Sequence, residues 1–238
     1  MTSGGNFPYA YTPTTARVVG SQPAVGRVTT SPRELRDVGL AFTVLTLDII
    51  FVIVGGASGL SGGVSGDFLL EIAMVAAVAA LTGFVAHEMA HKVSAQRRGY
   101  WAEFRMSPLW LVFSLLISAF SGILFAAPGA TVIGGMGSPQ DWGRTALAGP
   151  AINMVFSVAF YAAAMAALLA GSGVAVWLLF LAFINGWFAT FNLIPFGPLD
   201  GRKVLTWSLP AWVGAMAVAV VLAVSSYVGL YYGVLPIR

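Results

Sequence analysis

The stretch Ala86-His87-Glu88-Met89-Ala90-His91-Lys92 closes an apolar run that begins near Asp67 and ends near Ser94. It holds the only two histidines of the 238-residue chain, four positions apart, with a glutamate directly after the first. On a helix, residues i and i+4 share a face. Two imidazoles can then grip one metal ion, while Glu88, one position round, reaches water held beside it. This is the His-Glu-x-x-His spacing of zinc hydrolase sites, in which the glutamate is the general base. A His-x-x-x-His pair alone occurs by chance, and a lone histidine is more often a satisfied structural residue. Here three ionisable side chains share one apolar segment. A charge at the centre of a membrane helix costs about 2.5–3.5 kcal/mol on insertion scales. A bound cation offsets that cost.

Composition sets the surroundings of this motif. Hydrophobic residues make up 58% of the chain and charged residues 9%, against about a quarter charged in soluble domains. Mean hydropathy is +0.85. The expectation is an all-α polytopic membrane protein of five or six transmembrane helices, embedded in a lipid bilayer, with no room for a large appended domain. The net charge of +3 comes with no basic cluster interleaved with aromatics, so nucleic acid is not an expected partner. Cysteine is absent, which excludes disulfides, thiolate chemistry and Cys-ligated zinc.

Working outward, residues 1–30 are polar and rich in Gly, Pro and Thr. They read as a flexible cytoplasmic tail rather than a signal peptide, with a strand or two considered near Ala16–Val28. Ser31-Pro32-Arg33-Glu34 is a capping-box pattern that opens the membrane domain, residues 31–238. Expected spans cover about 39–56, 68–94, 145–170, 174–194 and 211–231. A Gly/Ser-rich loop, 55–66, joins the first two, and a polar elbow, 195–208, precedes the last. Lys92, Arg97, Arg98 and Arg105 crowd the exit of the second span, and four arginines lie in 17–36. Positive charge marks the cytoplasmic side, so the metal motif lies toward the cytoplasmic face of a multi-pass cell-membrane protein. Residues 109–127 either cross or re-enter. Charge counting favours re-entry, since Arg202 and Lys203 then join the other basic residues.

A catalytic zinc usually takes three protein ligands and keeps one open position. No third histidine exists, and no glutamate follows Glu103. Glu103 lies in the basic connector, within reach only of a tight fold-back. Asp141, in Ser138-Pro139-Gln140-Asp141, reads as an exposed turn. Asp48 reads as a snorkelling or hydrogen-bonded structural residue. Asp200 follows an apolar span, after Pro195 and Pro198, which forbid a regular helix. Irregular backbone at membrane depth survives where it lines a protein-buried or wet cavity. Elimination therefore leaves Asp200 as the third ligand beside His87 and His91.

Together, His87-Glu88-x-x-His91, Gly149-Pro150-x-x-Asn153 and Asn192-x-x-Pro195-x-x-x-Leu199-Asp200-Gly201 resemble, in order, the motifs of the site-2 protease family of intramembrane zinc metalloproteases. The resemblance covers about residues 68–205. It implies one catalytic Zn2+ held by His87, His91 and Asp200, with Glu88 as acid/base. Asn192 would orient substrate or stabilise the oxyanion, and Asn153 would do likewise. The implied activity is a zinc metalloendopeptidase, a hydrolase cutting within or next to the transmembrane segment of a substrate protein. Many members carry a second glycine after Asp-Gly, where this chain has Arg202-Lys203. Two other readings share the metal: a membrane metalloprotease acting on soluble or surface peptides, and a metal-binding transporter or scaffold without hydrolysis. Asn185 reads as an interhelical hydrogen-bonding residue, Gly149 and Pro150 as packing and kink residues, and Lys92, Arg97 and Arg98 as an orientation signal. For His91 and Asp200 to meet, their two spans must run parallel, which also requires 109–127 to return to its own side.

Overall fold

The computed structural model of the chain describes residues 27–124, 128–135 and 137–233. The tail expected over 1–30, and the strand considered for Ala16–Val28, lie outside the described residues up to position 26; Arg27–Thr30 are irregular. Ser31 accepts from the Glu34 N–H at 3.2 Å and starts α1, Pro32–Val54, which ends on Gly55 in the left-handed region, φ 81°. Only half of the expected capping box forms. The Glu34 side chain instead turns inward, where Lys92 Nζ donates to it at 2.5 Å and the Phe104 N–H at 2.9 Å. The Gly/Ser loop is not wholly irregular, because it contains a one-turn helix, α2 (Ala57–Ser61).

The motif-bearing span is continuous from Gly66 to Arg97 but is not one regular helix. It comprises α3 (Gly66–Ala80), a π turn (Leu81–Val85) and α4 (Ala86–Arg97). Thr82 Oγ1 bonds back to the Val78 carbonyl at 2.8 Å, a habit that loosens the helical ladder. Gly83 is required there for space, since a Cβ would meet the Phe188 ring at 2.9 Å. The extra residue shifts every later side chain round the axis, and so sets which face carries His87, Glu88 and His91.

After α4 the chain forms β1 (Trp101–Met106), then α5 (Pro108–Ser121), then β2 (Gly129–Gly134). The strands pair antiparallel, from Trp101 opposite Gly134 to Met106 opposite Gly129. Because Met106 faces Gly129, the chain leaves and re-enters at one level. Helix α5 has 14 residues, about 21 Å of rise, short of the roughly 30 Å hydrocarbon core. Among the described residues α5 is therefore too short to cross as a helix, in keeping with the re-entry expected for 109–127. It leans on α1, where Ser118 Oγ donates to Asp48 Oδ1 at 2.7 Å. Asp48 is fully buried and does not snorkel.

Helices α6 (Pro139–Leu169) and α7 (Ala175–Asn192) pack along each other, α6 also touches α4, and α9 (Leu209–Gly233) packs on α7. The polar elbow is largely a short helix, α8 (Asp200–Trp207). Five helices among the described residues are long and apolar enough to cross a membrane. Large apolar side chains stand exposed along α9, among them Val213, Val218, Val221 and Val224, as a lipid-facing helix requires. The shared core is built from Leu45, Ile49, Ala76, Ala80, Phe84, Phe104, Ile184 and Phe188.

The absence of cysteine makes the topology directly measurable by single-cysteine labelling in sealed vesicles. Arg97→Cys and Gln140→Cys are expected to react from one face and Ser61→Cys from the other. Labelling of Arg97→Cys and Gln140→Cys from opposite faces would mean that α5 crosses.

Candidate metal centre

His87 and His91 project from successive turns of α4, with ring centroids 4.6 Å apart. Asp200 arrives from the far side as the first residue of α8. It is held there by a tight turn: a Cβ on Gly201 would sit 1.9 Å from the Leu193 carbonyl, so only glycine fits. Trp212 Nε1 donates to that same carbonyl at 2.8 Å. All three side chains are buried. His91 Nε2 lies 2.8 Å and His87 Nε2 3.3 Å from Asp200 Oδ2, and the two imidazole Nε2 atoms are 3.0 Å apart.

These separations fit a metal. Three donor atoms so spaced leave a point about 2 Å from each, the usual zinc–nitrogen and zinc–oxygen distance. The facing helix leaves room for it. A Cβ on Gly149 of α6 would lie 2.4 Å from His91 Nε2 and 2.6 Å from His87 Nε2. Glycine at 149 thus keeps open the space on which the ligands converge.

Both histidines are oriented from behind. His87 Nδ1 donates to Asn153 Oδ1 at 2.5 Å and His91 Nδ1 to the Thr145 carbonyl at 2.8 Å. Each bond fixes the tautomer that leaves Nε2 as a lone-pair donor to a metal. Pro150 lies inside α6. A proline there has no N–H to give to the Ala146 carbonyl one turn earlier, next to the Thr145 carbonyl that His91 uses. Asn153 is itself saturated, since its Nδ2 reaches the Thr82 and Gly83 carbonyls of the π turn at 3.2 and 2.9 Å and Asn185 Oδ1 at 3.1 Å. Asn185 closes the network on Thr82 Oγ1 at 3.0 Å and on the Leu181 carbonyl at 2.9 Å.

Electrostatics favour an ionised Asp200. Burial opposes ionisation, but the facing imidazoles and the nearby Lys203 outweigh it and hold the carboxyl well below the usual carboxylate range. Lys203 Nζ meets the other oxygen, Oδ1, at 3.2 Å. Glu88, beside His87, turns its carboxylate toward β2: Thr131 donates to Oε2 from its N–H at 2.8 Å and from its hydroxyl at 2.7 Å.

Curated relatives agree with this chemistry. The chain is 31% identical over 148 residues to the protein named "Putative zinc metalloprotease MJ0611" of Methanocaldococcus jannaschii, covering 61% of this chain and 76% of that one. The chain belongs to this zinc metalloprotease family. It is also 36% identical over 137 residues to "Putative zinc metalloprotease Rip3" of Mycobacterium tuberculosis, covering 54% of this chain and 29% of the relative. No protein-family profile and no solved structure matches.

Against that family identity, the remaining sequence candidates fall into place. Asn153 stands behind His87, where it orients a ligand rather than facing the converging donors. Asn192, in the last turn of α7, gives its amide to the Phe188 carbonyl at 3.0 Å. Glu103 pairs with Arg105 in β1. Asp141 belongs to the first turn of α6, where Tyr100 donates to it at 2.9 Å, so it is a helix-end residue and not a loop turn. Lys92, expected as an orientation charge, is fully buried against Glu34. Sequence reasoning assigned no part in the site to Thr145, Thr131 or Lys203, and gave Gly149 only a packing role. A glycine one position before a helix-interior proline was the available signal for Gly149.

Gly149→Ala probes the ligand space directly. Alanine in a helix interior is favoured over glycine by about 0.8–1.0 kcal/mol, which only partly offsets about 1–3 kcal/mol of overpacking against the two imidazoles, so thermal stability in detergent is expected to fall modestly with the fold retained. The new methyl occupies the ligand space, and zinc per chain, measured by elemental analysis, is expected to fall at least tenfold. Full zinc occupancy in Gly149→Ala would place the metal elsewhere.

Proposed function

We propose that the chain is a site-2-protease-type intramembrane endopeptidase with one zinc ion, cleaving a peptide bond within or next to the transmembrane segment of a substrate protein. The observation that carries this reading is the convergence of His87, His91 and Asp200 with Glu88 adjacent, on helices apolar enough to span a bilayer. A zinc ion held by these three residues supplies Lewis acidity, which acidifies water and polarises a carbonyl. Glu88 takes a proton from the attacking water and returns it to the leaving amine. Asn192, once its amide rotates away from the Phe188 carbonyl, donates to the developing oxyanion. Gly149, Thr145 and Asn153 perform no chemistry; they keep the ligand space open and the imidazoles aligned.

The substrate must be partly unwound, because a helix hides its scissile carbonyl in its own hydrogen bonds. The outer edge of β2, apart from the Thr131 N–H that Glu88 occupies, supports pairing with such an unwound chain. The basic exit of α4 supports a water route from the cytoplasmic face, with the active site toward that side. Cleavage inside the membrane is favoured over action on soluble peptides because the ligands are buried among spanning helices.

Glu88→Gln tests the hydrolase reading against a metal-binding scaffold. It is expected to keep stoichiometric zinc and to lose about 100-fold or more in cleavage rate, the contribution of a general acid–base group. The assay uses purified full-length chain with a panel of transmembrane and soluble substrates. Retained cleavage by Glu88→Gln would remove the protease reading; preference for the soluble panel would remove the intramembrane one.

A further inference from the structure

The hydrolase reading gives Glu88 a task, but α4 alone does not fix where its carboxylate sits. Glutamate is a rotamer-rich side chain that gives up conformational freedom when held still, and Glu88 is only partly buried. Its carboxylate is nevertheless pinned at one atom. Oε2 receives both the Thr131 N–H, at 2.8 Å, and the Thr131 hydroxyl, at 2.7 Å. The same hydroxyl lies 3.0 Å from the Glu88 carbonyl. Its single proton serves one acceptor at a time, and the shorter approach is to the carboxylate. For Oε1 there is no hydrogen-bond partner among the described residues. One oxygen is thus occupied and the other remains for proton transfer.

Thr131 is in turn well placed to hold still. It stands opposite Phe104 in the two-stranded sheet. The Phe104 N–H leaves the other side of the sheet and ends on Glu34 Oε1 at 2.9 Å. Glu34 Oε2 holds Lys92 Nζ at 2.5 Å, one residue beyond His91. The same rung of the hairpin is therefore clamped between two carboxylates. One belongs to α1 and is tied to α4 through Lys92; the other is Glu88 itself. Phe104, fully buried, packs edge-on against Phe84 of the π turn with ring centroids 5.5 Å apart.

We propose that Thr131 is the positioning residue of the general base: it holds Glu88 Oε2 so that Oε1 faces the reacting water. This rests on the hydrolase reading of the same site. Thr131 does not touch the reacting atoms, so its removal should act on turnover rather than on substrate binding or metal content.

The test compares Thr131→Val, Thr131→Ser and Glu88→Gln in the zinc-loaded chain, together with amide exchange at position 131 in the chain as it stands and in Glu88→Ala. Valine keeps the shape and suits a strand but removes the hydroxyl. Thr131→Val is expected to lower kcat about tenfold, the size of one lost hydrogen bond to a charged group, with KM and zinc content unchanged. Thr131→Ser is expected to restore kcat to within about threefold. Glu88→Ala is expected to quicken exchange of the Thr131 amide with or without zinc, a readout that needs neither activity nor a folded Thr131→Val. Unchanged kcat in Thr131→Val, no rescue by serine, a loss expressed in KM, or unchanged amide exchange would each overturn the proposal. If Glu88→Gln is inactive while Thr131→Val runs at full rate, only this inference fails. If Glu88→Gln still cleaves, the hydrolase reading fails and the proposal falls with it.

Discussion

Within an apolar helix bundle every polar group must find its partner inside the protein, because lipid offers none. The Asn153 side chain is where this chain meets that constraint most fully. Its amide caps two carbonyls that the π turn displaces from the regular ladder, and its oxygen holds His87 Nδ1. A helix irregularity that would be costly alone is thereby coupled to the orientation of a candidate metal ligand. Asn185 and Thr82 complete the ring, so α6, α7 and the motif-bearing span are joined by one set of hydrogen bonds. Neutral amide groups suit this task better than charges, whose desolvation in such surroundings is far more expensive.

The five spans and the His-His-Asp constellation were legible in the sequence because each depends on a property of a short window. Hydropathy marks a span, i,i+4 spacing marks a shared helix face, and the scarcity of other ligands points to Asp200. What was illegible depends on pairing across distance. A π turn adds one residue to a helix without altering its hydropathy. Lys92 looks like the other basic residues at the span exit until Glu34, 58 positions earlier, is seen beside it. Asn153 matched a motif, but whether it faces the metal space or stands behind a ligand is a matter of orientation that no motif encodes. The short helices α2 and α8 were hidden in Gly/Ser-rich and Pro-rich stretches, where composition argues against a helix.

The departure at Arg202-Lys203 acquires a physical meaning from the same geometry. The glycine the turn demands is Gly201, whose missing Cβ lets α8 start against the Leu193 carbonyl. The two positions after it lie in the first turn of α8 and need no special backbone. Lys203, one helical turn from Asp200, uses that latitude to neutralise Oδ1 while Oδ2 faces the imidazoles. The two oxygens of one carboxylate are thereby divided between a cation on the helix and the metal space.

Parity explains why the hairpin exists at all. The ligands on α4 and the ligand after α7 sit at the same ends of their spans, so the chain must make an even number of crossings between them. Helices α6 and α7 make two. Any third crossing by α5 would carry Asp200 to the opposite face, a bilayer thickness from His87 and His91. The pairing of Met106 with Gly129 prevents this by closing the excursion on itself. The Asp48–Ser118 bond keeps the short helix against α1 instead of leaving it loose in the bilayer. The sheet that closes the excursion is also the one whose Thr131 reaches Glu88. The element that solves the topological problem thus lies beside the proposed general base, and both follow from forcing two parallel spans to share one candidate metal site.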